Sequence, residues 1–415
     1  MVAGQNGIGP TAGLDGDWKD FSPRFGFAYQ ALKHTVVRGG FGLFYNPNGN
    51  GGALLRFDRQ APYGPVLSIS PGDQILGPRV SGGFPATPIV DLSVANNPVG
   101  NVIGVPSNFK QAYAEQFNFT VEQELSPIAT LFKIAYVGNL GRRLGNSFNL
   151  NQPVPGPGGT TARRPFFGAL PGLGDITYYV SDGLSAYHAL QVSVEKRLSH
   201  GLTGLVGYTW AHSIDDVATD FGGGTGTPQD PRCRFCDRGN SAFDLRQRFT
   251  VSLTYRLPGF GMKGLSGTLL GGWQLNGVLQ SQTGLPYTPM LQNSTTNTGT
   301  GSRPNRIASG NLSSGQSITH WFDQTAFASP AQFVYGNAGR DILFGPGRTN
   351  VDASLFKNFR PFEKLTVQFR AESFNIFNHP QFGQPNANIG NGAVGTITSI
   401  VGNPRQMQVA LRLVF

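Results

Sequence analysis

The sequence predicts an all-β fold: an antiparallel transmembrane β-barrel segment of about eleven strands with long external loops. Three observations predict it. The first is the run from Gln406 to Phe415. Met407, Val409, Leu411, Leu413 and Phe415 alternate there with Gln406, Gln408 and Arg412, the period of a strand with two chemically different faces. Outer-membrane barrels close on such a strand and seat its aromatic residue in an interfacial girdle. The second is the placing of charge: Lys133, Glu195, Arg370, Glu372 and Arg412 keep to the polar side of their strands. A Lys or Arg facing lipid at mid-depth costs about 2–4 kcal/mol. The third is an alternation of short turns with long irregular connections. Compact soluble domains seldom hold even one structureless loop beyond about 15 residues.

The elements follow in order. Phe25, Phe27 and Tyr29 mark the apolar face of a strand over 21–30, and Phe41, Leu43 and Tyr45 that of the next. Phe117, Phe119 and Val121 oppose Gln116, Asn118, Thr120 and Glu122; Phe132, Ile134 and Tyr136 oppose Lys133. Leu190, Val192 and Val194 oppose Gln191, Ser193 and Glu195, and Leu202, Val206, Tyr208 and Trp210 oppose Thr203 and Thr209. Phe249, Val251, Leu253 and Tyr255 oppose Arg248, Thr250, Ser252, Thr254 and Arg256. Less regular strands fall near 268–281 (Trp273, Leu275, Leu279) and 350–359 (Val351, Ala353, Leu355). Leu365, Val367, Phe369 and Ala371 then oppose Thr366, Gln368, Arg370 and Glu372 over 363–373, and the strand at 405–415 ends the set.

Short turns are predicted near 31–34, 126–128, 198–201, 257–267 and 360–363, and long connections over 46–112, 138–186, 211–245, 282–349 and 374–404. With short turns periplasmic and long loops external, the last strand runs down to a periplasmic C-terminus and the first residues lie outside. An odd strand set that opens outside leaves an edge in lipid, where each unsatisfied backbone group costs several kcal/mol. The N-terminus, Met1-Val2-Ala3-Gly4-Gln5-Asn6, has no basic and apolar secretion signal. Both features predict that residues 1–415 are the C-terminal portion of a longer barrel protein whose first strands and signal peptide are absent.

Composition agrees. Charged residues are 13% of the chain, against roughly 25% in average soluble proteins. Gly (58) and Pro (29) suit long loops, while 31 Phe, 12 Tyr and 4 Trp argue against disorder. No apolar run reaches the roughly 18 residues of a membrane helix, which leaves strands as the way to cross. The net charge is +9, but the basic residues are scattered, with isolated doublets such as Arg142-Arg143 and Arg163-Arg164. That pattern speaks against nucleic acid as a partner and for an anionic lipid or lipopolysaccharide surface.

Several stretches carry a resemblance. They are Phe21-Ser22-Pro23-Arg24-Phe25-Gly26-Phe27-Ala28-Tyr29 with Arg38-Gly39-Gly40-Phe41-Gly42, then Ala186-Tyr187-His188-Ala189-Leu190-Gln191 with Glu195-Lys196-Arg197. Tyr208-Thr209-Trp210-Ala211-His212-Ser213-Ile214-Asp215-Asp216 follows. Near the end come Trp321-Phe322-Asp323, Gly336-Asn337-Ala338-Gly339-Arg340, Gly345-Pro346-Gly347, Ser354-Leu355-Phe356-Lys357-Asn358-Phe359 and Arg370-Ala371-Glu372-Ser373-Phe374-Asn375-Ile376-Phe377-Asn378. The ordered set resembles the C-terminal barrel half of the TonB-dependent receptor family. In particular it is similar to the Oar-like branch, which carries an N-terminal carboxypeptidase-regulatory-like domain and abounds in Acidobacteria-type genomes. The resemblance implies a barrel of about 22 strands, filled by an N-terminal plug and coupled through a TonB box to the inner membrane. Eleven strands would be half of it, and the plug and TonB box lie outside this segment.

Candidate sites are few. Cys233-Arg234-Phe235-Cys236 is the one cysteine pair. In an external loop it reads first as a local disulfide; free thiols, or a metal or redox pair, are the alternatives. A structural zinc site needs four ligands, and no second pair exists to supply them. Asp215, Asp216 and Asp220 cluster in one predicted loop, where calcium would find oxygen ligands. Their spacing is not that of an EF-hand, so carboxylates on a solvated loop are the default. The six histidines (His34, His188, His200, His212, His320, His379) are scattered, and no HExxH, GxSxG or Walker sequence occurs. Ser213 beside His212 and Asp215 does not make a triad, which is assembled by geometry. Gly222-Gly223-Gly224 reads as flexible loop rather than a phosphate cradle. Tyr208, Trp210, Tyr255 and Trp273 read as girdle aromatics before ligand-stacking ones. Val409, Leu411, Leu413 and Phe415 resemble the signal read by the outer-membrane assembly machinery.

No enzyme and no cofactor is expected. The expected function is that of an outer-membrane receptor barrel segment. External loops would capture an unknown bulky extracellular ligand, and the TonB system would act through the missing N-terminal region. The alternatives are a surface or adhesion protein whose barrel only anchors long loops, and a secreted soluble β-sandwich or propeller.

Overall fold

The computed structural model describes residues 15, 19–46, 100–217, 228–258, 267, 270–362 and 365–415. Asp220, Gly222-Gly223-Gly224, most of the 46–112 connection, most of the turn at 257–267 and the start of the strand near 268 lie outside these residues. The strands are β1 (Arg24–Leu32), β2 (Thr35–Asn46), β3 (Gly100–Gly104), β4 (Ala112–Leu125), β5 (Thr130–Asn149), β6 (Leu173–Ser199), β7 (Leu202–Asp215), β8 (Gly239–Asn240), β9 (Gln247–Arg256) and β10 (Trp273–Gln282). Five two-residue strands follow: β11 (Pro286–Tyr287), β12 (Met290–Leu291), β13 (Asn305–Arg306), β14 (Phe327–Ala328) and β15 (Leu343–Phe344). Then come β16 (Arg348–Phe362), β17 (Leu365–Phe374), β18 (Asn388–Ile389) and β19 (Gln406–Val414).

One sheet organises the molecule. Its path among the described residues is β1-β2-β4-β5-β6-β7-β9-β10-β16-β17-β19, eleven strands in chain order, each antiparallel to its neighbour. This is a meander, the connectivity that hairpins produce without crossovers. β1 and β19 end the path and do not pair with each other among the described residues. One addition departs from the antiparallel expectation: β3 joins β6 in parallel.

Register puts the predicted apolar residues on one face. Val206, Val251, Leu279 and Val351 are successive cross-strand partners, as are Tyr255, Leu275, Leu355, Ala371 and Val409. These rows are not buried against a second layer. Leu253 is 41% exposed, Leu275 48% and Leu411 64%, and neither buried cluster contains Val251, Phe369 or Leu411. A soluble sandwich would have to bury such rows between sheets; this sheet leaves them open. Its aromatics instead shield glycines across the strand gap. A Cβ at Gly138 would lie 2.2 Å from the Phe117 ring, so the ring needs a glycine beneath it.

The short turns have local causes. His200 and Gly201, at φ 51° and 79°, form a two-residue hairpin turn of the kind whose twist matches the strands. After the turn Ser126–Ile128, Ala129 takes φ 47° and its N–H closes onto the Ser126 carbonyl at 3.0 Å.

Four expectations change. The connection over 138–186 is mostly strand: β5 runs to Asn149 and β6 starts at Leu173. Its residues lie beyond the level where one face must stay apolar, as shown by Glu115 and Arg142, which pair at 3.3 Å on the face that carries Phe117 lower down. Without two-faced alternation the period-two signal fades. Second, β7 extends to Asp215 and β8 pairs with it, so 211–215 is strand. Third, the 282–349 connection is irregular but packed: Phe322, Ala326, Phe327 and Leu343 form a buried cluster flanked by Tyr287, Ile342, Ile389 and Val394. Fourth, the apolar face is not free of charge near the short turns, as Lys357 shows. Lys357 is the register partner of Trp273 and Phe369 near the short-turn end. Its Nζ donates to the Gly271 carbonyl at 2.6 Å and lies 4.8 Å from the Trp273 ring, which satisfies the ammonium at girdle depth.

Candidate ligand-binding surface

The long-loop end of the sheet is held by buried arginines. Arg340 donates from Nε to the Asp237 carbonyl at 2.9 Å and from Nη2 to the Asp215 carbonyl at 2.7 Å, and it pairs with the Asp215 carboxylate. Arg303 pairs with the Asp237 carboxylate. Asn240 Nδ2 donates to the Asp341 carbonyl at 2.8 Å. The end of β7, the loop around Asp237 and the segment 303–341 are thereby joined as one layer. The approach is close enough to demand glycine: a Cβ at Gly239 would stand 2.4 Å from the Arg340 carbonyl oxygen.

Burial governs the electrostatics of this layer. It pushes the Asp237 carboxyl above the usual range, although Arg303 and Arg340 pull it back. It raises Asp341 against the opposing hydrogen bond from Thr288. It also raises Asp216, whose side chain accepts from the Leu184 N–H at 2.6 Å. The expectation of solvated carboxylates here is therefore corrected. Asp215 is 3% exposed because its strand continues under the loop layer and its charge is neutralised by Arg340. Asp220 lies outside the described residues, and no cluster of three or more metal-ligating side chains occurs among the described ones.

His212 and Ser213 point to opposite faces of β7. His212 Nε2 lies 2.8 Å from Arg246 Nη2 and 3.1 Å from Asn240 Oδ1, while Ser213 Oγ lies 2.8 Å from Ser241 Oγ. Period two separates them, so they do not share a catalytic site with Asp215. Cys233 and Cys236 are disulfide-bonded, with Cα atoms 5.4 Å apart, and hold Phe235 outward, 88% exposed. The other motif residues serve packing and turns. Trp321 Nε1 donates to the Phe344 carbonyl at 2.8 Å. Asp323 caps the turn Gln324–Ala326 by accepting from Thr325 N and Oγ1 at 2.9 and 2.6 Å, and these hydrogen bonds hold its carboxyl below the usual carboxylate range. Asn375 and Asn378 adopt φ 48° and 51°, a left-handed conformation that asparagine tolerates.

Below this layer the polar face is a wall of neutral and paired charged groups. Arg38 meets Glu122 at 3.2 Å and Lys133 meets Glu195 at 3.9 Å. Several cavities open on it among the described residues, one of about 540 Å³ beside Glu195, Thr203, Ser252 and Thr254. A further one, of about 520 Å³, lies among Lys133, Gln191, Ser193 and Arg248. Another, of about 470 Å³, lies among Gln280, Arg348, Phe374 and Gln406. Ligand sites commonly span roughly 300–1,000 Å³. Sequence reading quoted the Phe374 stretch but assigned no role to Arg248, Arg303 or Arg348. Arg248 and Arg348 sit at polar-face positions at the long-loop ends of their strands, and that placement was the available signal. On the opposite face Trp210 is 59% exposed and Tyr136 Oη lies 2.8 Å from His188 Nδ1, an aromatic row at one level. Tyr255 and Trp273 mark another at the short-turn end. Along β19, Val409, Leu411 and Leu413 are exposed on the apolar side, as is Phe415 just past its end.

The sequence matches the family described as outer membrane beta barrel domain over residues 1–408. No curated protein matches it in sequence. Among solved structures, the outer membrane transporter YddB from Escherichia coli is similar, with a TM-score of 0.51 and 12% identity over 95% of this chain and 40% of that one. The ferric-catecholate import receptor Fiu from K12 E. coli gives 0.42 and 11% over 94% and 34%. The siderophore receptor PiuA from Acinetobacter baumannii gives 0.46 and 8% over 94% and 35%. The chain thus spans well under half the length of these relatives.

Proposed function

The chain belongs to the outer membrane beta-barrel domain family, and from that premise we propose that it is the C-terminal barrel portion of a TonB-dependent receptor of the Oar-like branch. The full receptor takes up a bulky nutrient across the outer membrane. The observation that carries this reading is the eleven-strand meander with one open apolar face, one polar wall and a packed layer of long loops at a single end. Lipid covers the apolar face, the loop layer faces outward, and the wall lines the ligand's path. The short turns and the end of β19 then lie in the periplasm. The missing N-terminal region supplies the plug and the contact with TonB, and the exposed row Val409, Leu411, Leu413 and Phe415 is read by the assembly machinery. Lipopolysaccharide meets the outer rim of this net-positive chain.

The test is uptake by cells carrying the full-length gene. Accumulation of medium components that requires both the gene and a proton gradient supports the reading. Loop-dependent surface binding with no gradient-dependent accumulation would replace it with an anchored adhesin.

A further inference from the structure

One corner of the polar wall is built differently from the rest. Arg248 of β9, Gln282 of β10 and Arg348 of β16 are direct cross-strand partners at the long-loop ends of their strands. Strands lie about 4.8 Å apart, so the two guanidinium stems stand roughly 10 Å apart with an amide between them. Among the described residues neither arginine has a carboxylate partner, whereas Arg38 and Lys133 on the same face are paired. Asp352 lines the same cavity, but pairs with neither arginine: its Oδ1 accepts from Asn350 Nδ2 at 2.9 Å and from the Asn375 N–H at 2.8 Å. These donors hold its carboxylate at the cavity rim, one acid beside two arginines without an ion-pair partner.

The neighbouring groups are of two kinds. Gln280, Gln282 and Gln406 line the cavity beside Arg348, and their amides make no side-chain hydrogen bond among the described residues. Phe374 lines it too, on the polar side of β17, where it partners Gln406. An aromatic on a water-facing wall is anomalous. The other one on this part of the wall, Phe356, is covered by the Arg370 guanidinium at 4.9 Å; Phe374 remains 44% exposed.

We infer that this corner is a recognition subsite for an acidic oligosaccharide, a chain of hydroxylated rings bearing carboxylates. This rests on the receptor reading above and names the substrate class for it. Two unpaired guanidiniums meet carboxylates on successive rings, since Arg binds carboxylate bidentately. Free amides both donate and accept, which suits hydroxyls that do the same. The bare face of Phe374 takes the C–H face of a ring. An acidic peptide would share the first feature, but its main chain would leave the hydroxyl-matching amides and the flat ring surface unused.

The test is equilibrium binding to outer-membrane vesicles carrying the full-length protein, with tetragalacturonate, neutral galactotetraose and tetra-aspartate as probes. Tetragalacturonate should bind at least tenfold more tightly than either other probe. Arg248→Gln with Arg348→Gln should lower tetragalacturonate affinity at least tenfold while leaving galactotetraose unchanged, and Phe374→Ala should weaken both glycans. Surface labelling of the full-length protein by a membrane-impermeant biotin reagent confirms that each variant is assembled. Equal binding of acidic and neutral glycans, preference for tetra-aspartate, or absence of binding by assembled protein overturns the inference. Gradient-dependent uptake of some other nutrient by the same vesicles' parent cells would leave the receptor reading standing while this one fails. Tetragalacturonate binding without any uptake would do the reverse.

Discussion

Arg340 is the residue on which the loop layer depends most. It is 9% exposed, and it satisfies one carboxylate and two carbonyls drawn from β7 and the loop beside β8. Removing one partner of a buried pair costs about 3–5 kcal/mol because the other charge is stranded. Arg340→Ala should therefore loosen the 282–349 segment and expose it to external protease, while the membrane strands stay intact; an unchanged digestion pattern would refute the role. A second residue-scale prediction concerns faces. Leu253 lies on the apolar side of β9 and Ser252 on the polar side. Leu253→Arg should destabilise the assembled barrel by about 2–4 kcal/mol, and Ser252→Arg should be tolerated. Urea titration of the assembled protein in lipid separates them; equal effects would mean that the apolar face does not meet hydrocarbon.

At the scale of elements, pH should act on the loop layer in an unusual direction. Asp216, Asp237 and Asp341 are all raised above the ordinary carboxylate range, mainly by burial. The folded layer then holds more protons than the unfolded chain between that ordinary range and the raised values. Stability contributed by these groups is full below the unfolded value and falls as pH rises through the folded one. Acidification towards the ordinary carboxylate range should increase protease resistance of the layer, and Asp237→Asn should flatten that dependence; a layer that loosens steadily on acidification would contradict the sign. The elements also show what the chain discloses by itself. Strands such as β9 and β19 were legible because lipid on one side and water on the other impose alternation over their whole length. The long-loop ends of β5 and β6 were not, because beyond the bilayer both faces meet water, and stretches such as Gly138-Asn139-Leu140-Gly141 carry no period. The pairing of Arg303 with Asp237 was hidden for another reason: their separation of 66 residues leaves no local trace. The cysteine pair could be read because its ring closes within four residues.

At the scale of the molecule, the sheet is organised as an interface between three media. Its apolar face meets no second layer, its polar face carries amides and charged groups, and its buried clusters lie with the loops, as Phe322 and Leu343 do, or near them, as Phe109 and Tyr179 do. Stability of the sheet therefore depends on a bilayer to cover rows such as Leu275, Leu355 and Val409, whereas the loop layer has a dry centre of its own. Such a division predicts separate responses to solvent. In detergent too weak to replace lipid, the sheet should lose order while the layer around Phe322 stays protected, since its core needs no bilayer. The β19 row should matter most when the bilayer is first entered. Replacing Phe415 and Leu413 with Ser removes apolar surface from a strand that pairs only with β17 among the described residues, and assembly into outer membranes should fall several-fold, with unassembled protein accumulating in the periplasm. Assembly at the original rate would show that the row merely faces lipid and is not read during insertion.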